Sequence, residues 1–294
     1  MSASPFHPGE LEAQVRAGGN SAGGAIRELM TEQHRVFFES LPFVAVALRH
    51  NDWPVATILT GAPGFVSAPD PRTLRVQTHL DPSDPATHAL AKGAPAGLLG
   101  IDLRTRRRNR ANGVIASASA GQFVLAVRQS FGNCPQYIHP RELRRVRPDA
   151  QPIEHFDRLN AEARDAISHA DTFFVGTGSR TNEAAGGMDI SHRGGRPGFV
   201  RIEGDTLSIP DYKGNRYFNT LGNLLSEPRA ALLFVDFAQG DLFHVQGTTE
   251  IVWDGPEVRA FRDAERLWRV YVERYWLKRG AIPLRRTPRG STEN

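Results

Sequence analysis

The feature that most constrains the fold of this chain is an internal repeat. The four residues Pro-Gly-Phe-Val occur at 63–66 and again at 197–200, which is 134 positions later. Further identities keep this spacing: Leu98-Leu99 recurs as Leu232-Leu233, Asp102 as Asp236, and Gly113 as Gly247. A constant register over about fifty residues predicts two copies of one structural unit.

Each copy has the pattern of a mainly β unit, because short apolar or alternating runs are separated by Gly, Pro and Asn turns. Strands are predicted in the first copy at 43–48, 53–60, 74–77, 96–103, 112–118 and 122–128. In the second copy they are predicted at 172–177, 199–203, 206–209, 230–237 and 242–253. Many short strands favour a barrel or sandwich, since closing a sheet removes exposed edges.

Three helices are predicted around these strands. Residues 24–39 lead into the first unit, residues 154–169 link the two, and Pro256 opens a long C-terminal helix to Leu277. Roughly the first twenty residues and the tail are expected to be disordered. The predicted organisation is a tail with the start of the lead-in helix (1–33), a first barrel (34–150), a linker helix (151–169), a second barrel with the C-terminal helix (170–284) and a tail (285–294).

Composition excludes several kinds of protein. No apolar run approaches the roughly 20 residues that span a bilayer, and the N-terminus lacks an apolar signal core, so we expect no membrane partner and a cytoplasmic location. Cys134 is the only cysteine, which excludes an intrachain disulfide and a multi-cysteine zinc site. The ten histidines show no HExxH-type spacing, and no metal site is expected.

Arginine supplies most of the positive charge. It forms two clusters: Arg104, Arg106, Arg107, Arg108 and Arg110, then Arg141, Arg144, Arg145 and Arg147. Arginine forks suit phosphate and carboxylate groups. Such clusters also occur in nucleic-acid binders and on solvated faces. Nucleic acid is the less favoured partner, because the clusters are not interleaved with the aromatic residues of single-strand binders.

The second copy contains a candidate phosphate site where a loop meets a short helix. Residues 211–216 form a polar loop, and Asn219 or Thr220 is expected to cap a helix over 221–226. The free N–H groups at the start of a helix attract anions. The alternative interpretation is an ordinary capped helix behind a solvated loop.

Side chains of the loop strengthen the phosphate interpretation. Lys213 and Arg216 can add charge-assisted hydrogen bonds, and Gly214 lets a ligand approach the backbone. A second basic turn lies upstream and consists of Ser191, Arg193, Gly194, Gly195 and Arg196.

The first copy lacks these donors. At the positions equivalent to Asn215, Arg216, Asn219 and Thr220 it has Asp81, Pro82, Pro85 and Ala86. Together with Asp84, Asp81 would repel a phosphate. The comparison predicts one phosphorylated ligand per chain, held mainly by the second copy.

These residues resemble those of a known family. The run SHRGGRPGFVRIEGDTLSIPDYKGNRYFNTLGNLLSEPRAALLFVDF, residues 191–237, resembles the pyridoxamine 5′-phosphate oxidase-like flavoproteins, the FMN-binding split barrels. In the first copy, LLGIDLRTRRRNRANG and QSFGNCPQYIHPR resemble segments of tandem-barrel members. The resemblance extends from about His34 to Leu284 and depends on the combination of PGFV, GNR, NTLGNLL and GNCPQYI.

The resemblance implies two tandem six-stranded antiparallel split barrels with FMN bound where two barrels meet. By position, Arg216, Asn219 and Thr220 would hold the FMN phosphate, and Asp211 would reach the ribityl chain or the loop backbone. The full set of cofactor-binding residues so implied is Ser191, Arg193, Arg196, Pro197, Gly198, Phe199, Val200, Asp211, Lys213, Gly214, Asn215, Arg216, Asn219 and Thr220.

Two subunits complete each site in single-barrel members. The resemblance therefore implies that the first barrel can stand for the second subunit, with Arg106, Arg108 or the GNCPQYI segment facing the flavin. Pairing within one chain or between the chains of a homodimer stays open.

The implied function is an FMN-dependent oxidoreductase that acts on a small substrate, with NAD(P)H or another electron donor. Asn219-Thr220 replaces the Arg-Lys pair of true pyridoxamine phosphate oxidases, and their C-terminal substrate segment has no clear counterpart. Vitamin B6 oxidation is therefore not implied. The alternatives are a flavin, deazaflavin or heme protein without turnover and a basic nucleic-acid binder. No catalytic side chain is assigned, and Cys134 is interpreted as a buried structural residue.

Overall fold

The computed structural model describes residues 4–180 and 185–287. The helices in these residues are α1 (Pro8–Arg16), α2 (Glu32–Glu39), α3 (Pro85–His88), α4 (Ala161–His169), α5 (Asn219–Ser226) and α6 (Pro256–Arg259). The strands of the first half are β1 (Phe43–His50), β2 (Trp53–Thr60), β3 (Val66–Asp70), β4 (Thr73–Gln77), β5 (Pro95–Asp102), β6 (Arg107–Ser119), β7 (Gln122–Gly132) and β8 (Leu143–Arg145). The strands of the second half are β9 (Glu154–Phe156), β10 (Thr172–Gly178), β11 (Met188–Gly194), β12 (Arg201–Glu203), β13 (Thr206–Tyr212), β14 (Arg229–Asp236), β15 (Asp241–Val252), β16 (Ala264–Lys278) and β17 (Leu284–Arg286).

Two large antiparallel sheets have the same strand order. The first sheet runs β2-β1-β5-β6-β7-β4-β3, and the second runs β11-β10-β14-β15-β16-β13-β12 with β9 added on β16. The repeated residues occupy equivalent places, since Leu98 pairs with Val46 and Leu232 pairs with Val175. The prediction of a mainly β chain with two antiparallel units is confirmed. Each shared path has seven strands rather than the six predicted.

The first strand shows why the sequence is apolar at every position over 43–48. Val44, Val46 and Leu48 point into the core of the first sheet. Phe43, Ala45 and Ala47 pack on the opposite face in a second cluster, which also contains Phe174 and Leu233 of the other sheet. A strand buried on both faces has no polar alternation. The continuous apolar run therefore reflects the packing of one sheet against the other.

The predicted C-terminal helix over 256–277 is wrong. Only Pro256–Arg259 is helical, and Ala264–Lys278 forms β16, which pairs with both β13 and β15. Trp268 and Val270 are buried, whereas Tyr271 is 41% exposed. Aromatic and β-branched residues favour a strand, and pairing on both sides outweighs the helical spacing of a few apolar residues.

The expectation of a disordered N-terminus is also wrong. Residues 8–16 form α1, which begins with Pro8 and is capped by His7, and the Glu10 side chain completes the capping box. Phe6 is 4% exposed and Ala13 is fully buried. The polar composition of the N-terminal segment suggested disorder, because only a few apolar residues are needed to anchor this helix to the second half.

Other boundaries also differ from the expectations. The lead-in helix is confined to Glu32–Glu39, the linker contains β9 before α4, and the predicted basic turn at 191–196 lies mostly in β11. The predicted tail begins inside β17, and its residues 288–294 lie outside the described part of the chain. No described helix is long and apolar enough to cross a membrane.

Candidate functional site

A polar cavity between the two sheets is lined by both halves of the chain. The first half contributes β6 and the loop after β7, and the second contributes β11 and the segment from β13 to α5. The lining residues are Arg108, Arg110, Asn133, Cys134, Gln136, Tyr137, Ser191, His192, Arg193, Gly194, Phe199, Pro210, Asp211, Tyr212, Lys213, Gly214, Asn215, Arg216, Phe218, Asn219, Thr220, Leu221, Glu265 and Arg266. The loop and helix predicted to bind phosphate thus form one wall of the cavity.

The junction between this loop and α5 has an unusual backbone. Arg216 and Phe218 adopt left-handed φ angles of 61° and 59°, which are uncommon for residues other than glycine. Phe218 is the N-cap, and no described side chain caps the helix. The expected capping by Asn219 or Thr220 is wrong, because both lie in the first turn. The first N–H groups of α5 consequently lack a side-chain cap at the cavity wall.

A buried polar network joins the start of α5 to the first half. Arg110 donates to both carboxylate oxygens of Asp189 at 2.7 and 2.9 Å, to Ser191 at 2.8 Å and to Asn219 Oδ1 at 3.0 Å. Thr220 donates to Ser191 at 3.0 Å. Three predicted phosphate-site residues therefore lie together, and each is hydrogen-bonded within the protein.

Asp211 fixes two further arginines of the cavity. Its carboxylate accepts from Arg193 at 2.8 Å and from Arg266 at 2.8 Å. The side chains of Asp211 and Arg266 are each 7% exposed. Arg266 also pairs with Glu265 at 2.7 Å, so two carboxylates balance the two guanidinium groups in this part of the wall.

Arg108 is a partly buried cation of the wall that forms no ion pair with a described carboxylate. Its Nη1 donates to the His192 carbonyl at 3.3 Å and lies 3.1 Å from His192 Nδ1, and no described carboxylate forms an ion pair with it. Burial, with smaller effects of the charges of Arg110 and Arg193, lowers the pKa of Arg108 to about 10. The group stays charged at neutral pH. A cation that is partly withdrawn from water and has no counter-ion favours the approach of an anion.

Several donors near Arg108 also lack partners. The Nε groups of Arg108 and Arg193 and the Nδ2 group of Asn133 are buried and have no hydrogen-bond partner within the described structure. Native proteins rarely leave buried donors unpaired without a reason such as a bound ion or ligand. This wall of the cavity is therefore suited to a ligand rich in acceptor oxygens.

His192 is a neutral donor in the same wall. Burial holds its pKa well below the usual range, and the adjacent Arg108 adds to this effect. Because Arg108 donates to Nδ1, the proton of the neutral ring is assigned to Nε2. Nε2 has no partner among the described residues.

Contacts between the two halves also join residues of the cavity lining. Tyr137 stacks on Tyr212 with ring centroids 5.1 Å apart, and its hydroxyl donates to the Lys213 carbonyl at 3.2 Å. Asn215 donates to Asn133 at 3.1 Å. The GNCPQYI segment thus lies against the polar loop of the second half.

Other residues predicted for the site lie outside the cavity or, in the case of Arg216, line it but bond to the backbone of another segment. Arg196, Pro197 and Gly198 are exposed and do not line the cavity, and Val200 is part of the core of the second sheet. Arg106 is exposed in the turn before β6. The Arg216 guanidinium is exposed and donates to the Ala17 carbonyl at 2.6 Å.

Sequence reasoning missed three important residues of the site. Arg110 could have been found, because Arg108 and Arg110 alternate along a strand and so share one face. Arg266 was hidden by the mistaken C-terminal helix. Glu10, whose carboxylate accepts from Asn219, was hidden by the expectation of disorder.

Comparison with known proteins shows a family to which part of the chain is similar. The family model described as pyridoxamine 5′-phosphate oxidase matches residues 159–289. These residues, which make up most of the second half, are thus similar to the pyridoxamine 5′-phosphate oxidase family. No curated protein sequence matches the chain.

Several solved structures are similar to single portions of the chain. HupZ from Group A Streptococcus is 20% identical over 40% of this chain and 91% of its own, with a TM-score of 0.33. A FAD-binding protein from Mesorhizobium loti is 12% identical over 43% and 97%, with a TM-score of 0.31. The FAD and heme binding protein from Mycobacterium smegmatis is 16% identical over 37% and 72%, with a TM-score of 0.26.

The polar loop and α5 of the second half have an equivalent in the first half. There Asp84 caps α3 and accepts from Thr57 at 2.6 Å, and Asp81 forms an ion pair with Lys278. Thr57 and Asp84 are 4% and 6% exposed. In the first half, therefore, one carboxylate already caps the helix and another already pairs with the nearby cation.

Proposed function

We propose that this chain binds FMN in the cavity between its two halves, one molecule per chain, and acts as a flavin-dependent oxidoreductase on a small substrate. The observation that carries the proposal is the partly buried guanidinium of Arg108, which has no described carboxylate partner. The match of residues 159–289 to the pyridoxamine 5′-phosphate oxidase family model supports a flavin as the ligand. Residues of the first half complete the wall, which supports a site formed within one chain.

The residues present fit the phosphate end of such a cofactor. Arg108 supplies an uncompensated charge, Arg193 and Asn133 supply unpaired donors, and α5 offers uncapped N–H groups. Lys213 is exposed on the loop and can add a further charge. The proposed contribution of Arg216, Asn219 and Thr220 to phosphate binding remains a prediction.

The protein's own part in a reaction is to bind, orient and exclude water. When bound, the flavin supplies the redox chemistry, by accepting a hydride or electrons and passing them on. Asp211 holds two arginines in place, and the Tyr137–Tyr212 stack covers part of the cavity lining. His192 holds a proton at Nε2 and can donate a hydrogen bond to a ligand acceptor.

An absorption spectrum of the purified protein, followed by mass analysis of the released cofactor, tests the proposal. We expect a flavin band near roughly 450 nm and a released mass equal to that of FMN. Released FAD, deazaflavin or heme would replace FMN with that cofactor, and protein that neither carries nor takes up a chromophore would reject the proposal. Reduction by NAD(P)H with turnover of an acceptor would support catalysis, whereas a stable flavin complex without turnover would indicate a binding or sensing role.

A further inference from the structure

An N-terminal arm, residues 5–18, packs against α5 and the loop before it. Phe6 is 4% exposed, and Ala13 and Gln14 are fully buried. At its beginning, the Pro5 carbonyl accepts from Gln129 of the first half at 2.7 Å. The arm is therefore anchored to both halves of the chain.

The helix of this arm crosses α5 with the two backbones in contact. A Cβ atom added to Gly9 would lie 2.3 Å from the Gly222 carbonyl oxygen, and one added to Gly222 would lie 2.5 Å from Glu10 Cα. Only glycine fits at both positions without movement of one helix. The sequence thus specifies close docking of α1 on α5.

Three contacts tie the arm to the junction between loop and helix. The ring of Phe6 lies 5.6 Å from that of Tyr217, which also packs against Phe131 at 5.8 Å. The Glu10 carboxylate accepts from Asn219. Arg216 donates to the carbonyl of Ala17, at the end of α1. Residues 216, 217 and 219 are thereby held by the arm from one side.

The conformation held in this way is a strained one. Tyr217 is buried between Arg216 and Phe218, which both have left-handed φ angles. Non-glycine residues persist in that region only when surrounding structure fixes them. The aromatic cluster of Phe6, Phe131 and Tyr217 provides such a constraint.

We propose that the N-terminal arm is a positioning strap for the ligand site. It fixes Arg216–Phe218 in the conformation that presents the polar loop and the uncapped end of α5 to the cavity. Phe6 is then a positioning residue, because it acts through Tyr217 and does not line the cavity. The identity of the ligand rests on the proposed function, but the effect of the strap on the loop does not.

Hydrogen exchange tests the strap in the full chain without any ligand. We expect Phe6→Ala to accelerate amide exchange over residues 213–221, and Phe6→Leu to restore most of the protection. Leu11→Ala is the control on the same helix, because Leu11 is 41% exposed. Unchanged exchange over 213–221 in Phe6→Ala would overturn the proposal.

Titration of the cofactor-free protein with FMN then tests the consequence for binding. We expect Phe6→Ala to raise the Kd at least about tenfold, because preorganisation is lost, while Leu11→Ala leaves it unchanged. Leu74→Ala, in the core of the first sheet, separates this effect from general destabilisation: it should lower the Tm without changing the Kd.

The two proposals can fail separately. Absence of FMN binding by the unmodified chain would reject the proposed function, and hydrogen exchange would still decide the strap. An equal loss of affinity in Phe6→Ala and Leu74→Ala would reject the strap, since general destabilisation would explain both. If Phe6→Ala does not fold, Gly9→Ala tests the same docking through the clash with Gly222 and has the same expected outcomes.

Discussion

Arg110 and Asp189 form a buried ion pair that joins the two halves of the chain beside the cavity. The shortest distance between them is 2.7 Å, and their side chains are 6% and 5% exposed. Asn112 also donates to Asp189, at 2.9 Å. The buried carboxylate of Asp189 on β11 thus links β11 to β6, a strand of the other half.

Replacing Asp189 should therefore be costly. Asp189→Asn leaves a buried guanidinium without a counter-ion, and we expect a loss of about 3–5 kcal/mol in the free energy of unfolding. Chemical denaturation measures it. The control is Asp205→Asn, which breaks the more exposed pair with Arg164 and should cost less than about 1 kcal/mol. Equal effects of the two substitutions would show that the buried pair has no special role.

Arg108 should contribute to ligand binding rather than to stability. We expect Arg108→Ala to weaken FMN binding by about 1.5–3 kcal/mol, the usual value of a hydrogen bond to a charged group. Since the substitution removes a partly buried charge that has no described counter-ion, the Tm should be unchanged or higher. Arg106→Ala is the matched control, because Arg106 is exposed and two residues away. A similar loss of affinity in both variants would assign the effect to long-range charge.

The repeat and the turn residues allowed most of the β architecture to be predicted. Positions such as Leu98 and Leu232 take equivalent places because burial on both sides of a sheet constrains sequence strongly. The segment of Trp268 and Tyr271 was misassigned because its apolar spacing fits both a helix and a strand. Pairing with β13 and β15 decided between them, and such long-range contacts are not visible in local periodicity.

The candidate site was predicted less completely than the fold. The loop over 211–216 and the start of α5 line the cavity as expected, because a polar loop before a short helix has a clear local pattern. Glu10 and Arg110 lie 209 and 109 positions before Asn219 in the sequence, and only the tertiary fold brings them into contact with it. Buried polar networks of this kind have no sequence periodicity.

Docking of the N-terminal arm should depend on pH through Glu10. Burial, the largest effect, raises the pKa of Glu10 from 4.5 to about 8, and the nearby charge of Asp189 raises it, whereas the hydrogen bonds from His7 and Asn219 and the charge of Arg110 lower it. The docked state therefore binds the proton more tightly than the undocked state. The stability that protonated Glu10 adds to the docked state is complete below pH 4.5 and is lost as the pH rises to about 8.

Glu10→Gln should remove this pH dependence, because the amide cannot ionise. We expect the wild-type protein to lose protection from hydrogen exchange over α1 between pH 5 and pH 9, after correction for the intrinsic exchange rate, and the variant to show a smaller change. Glu12→Gln is the control, since Glu12 is exposed on the same helix. An identical pH profile for wild type and Glu10→Gln would mean that the Glu10 carboxylate does not govern docking.

The first half should not bind a second cofactor. Asp84 occupies the end of α3 and accepts from Thr57, and Asp81 neutralises Lys278. A phosphate at this place would meet two carboxylates, so we expect a titration of cofactor-free protein to saturate at one FMN per chain. We also expect Pro82→Ala to leave affinity unchanged, whereas Arg216→Ala, at the equivalent position of the second half, should weaken it. Saturation at two equivalents would show that the carboxylates of the first half do not exclude the phosphate, and equal affinities of the two variants would place the phosphate away from the loop over 211–216.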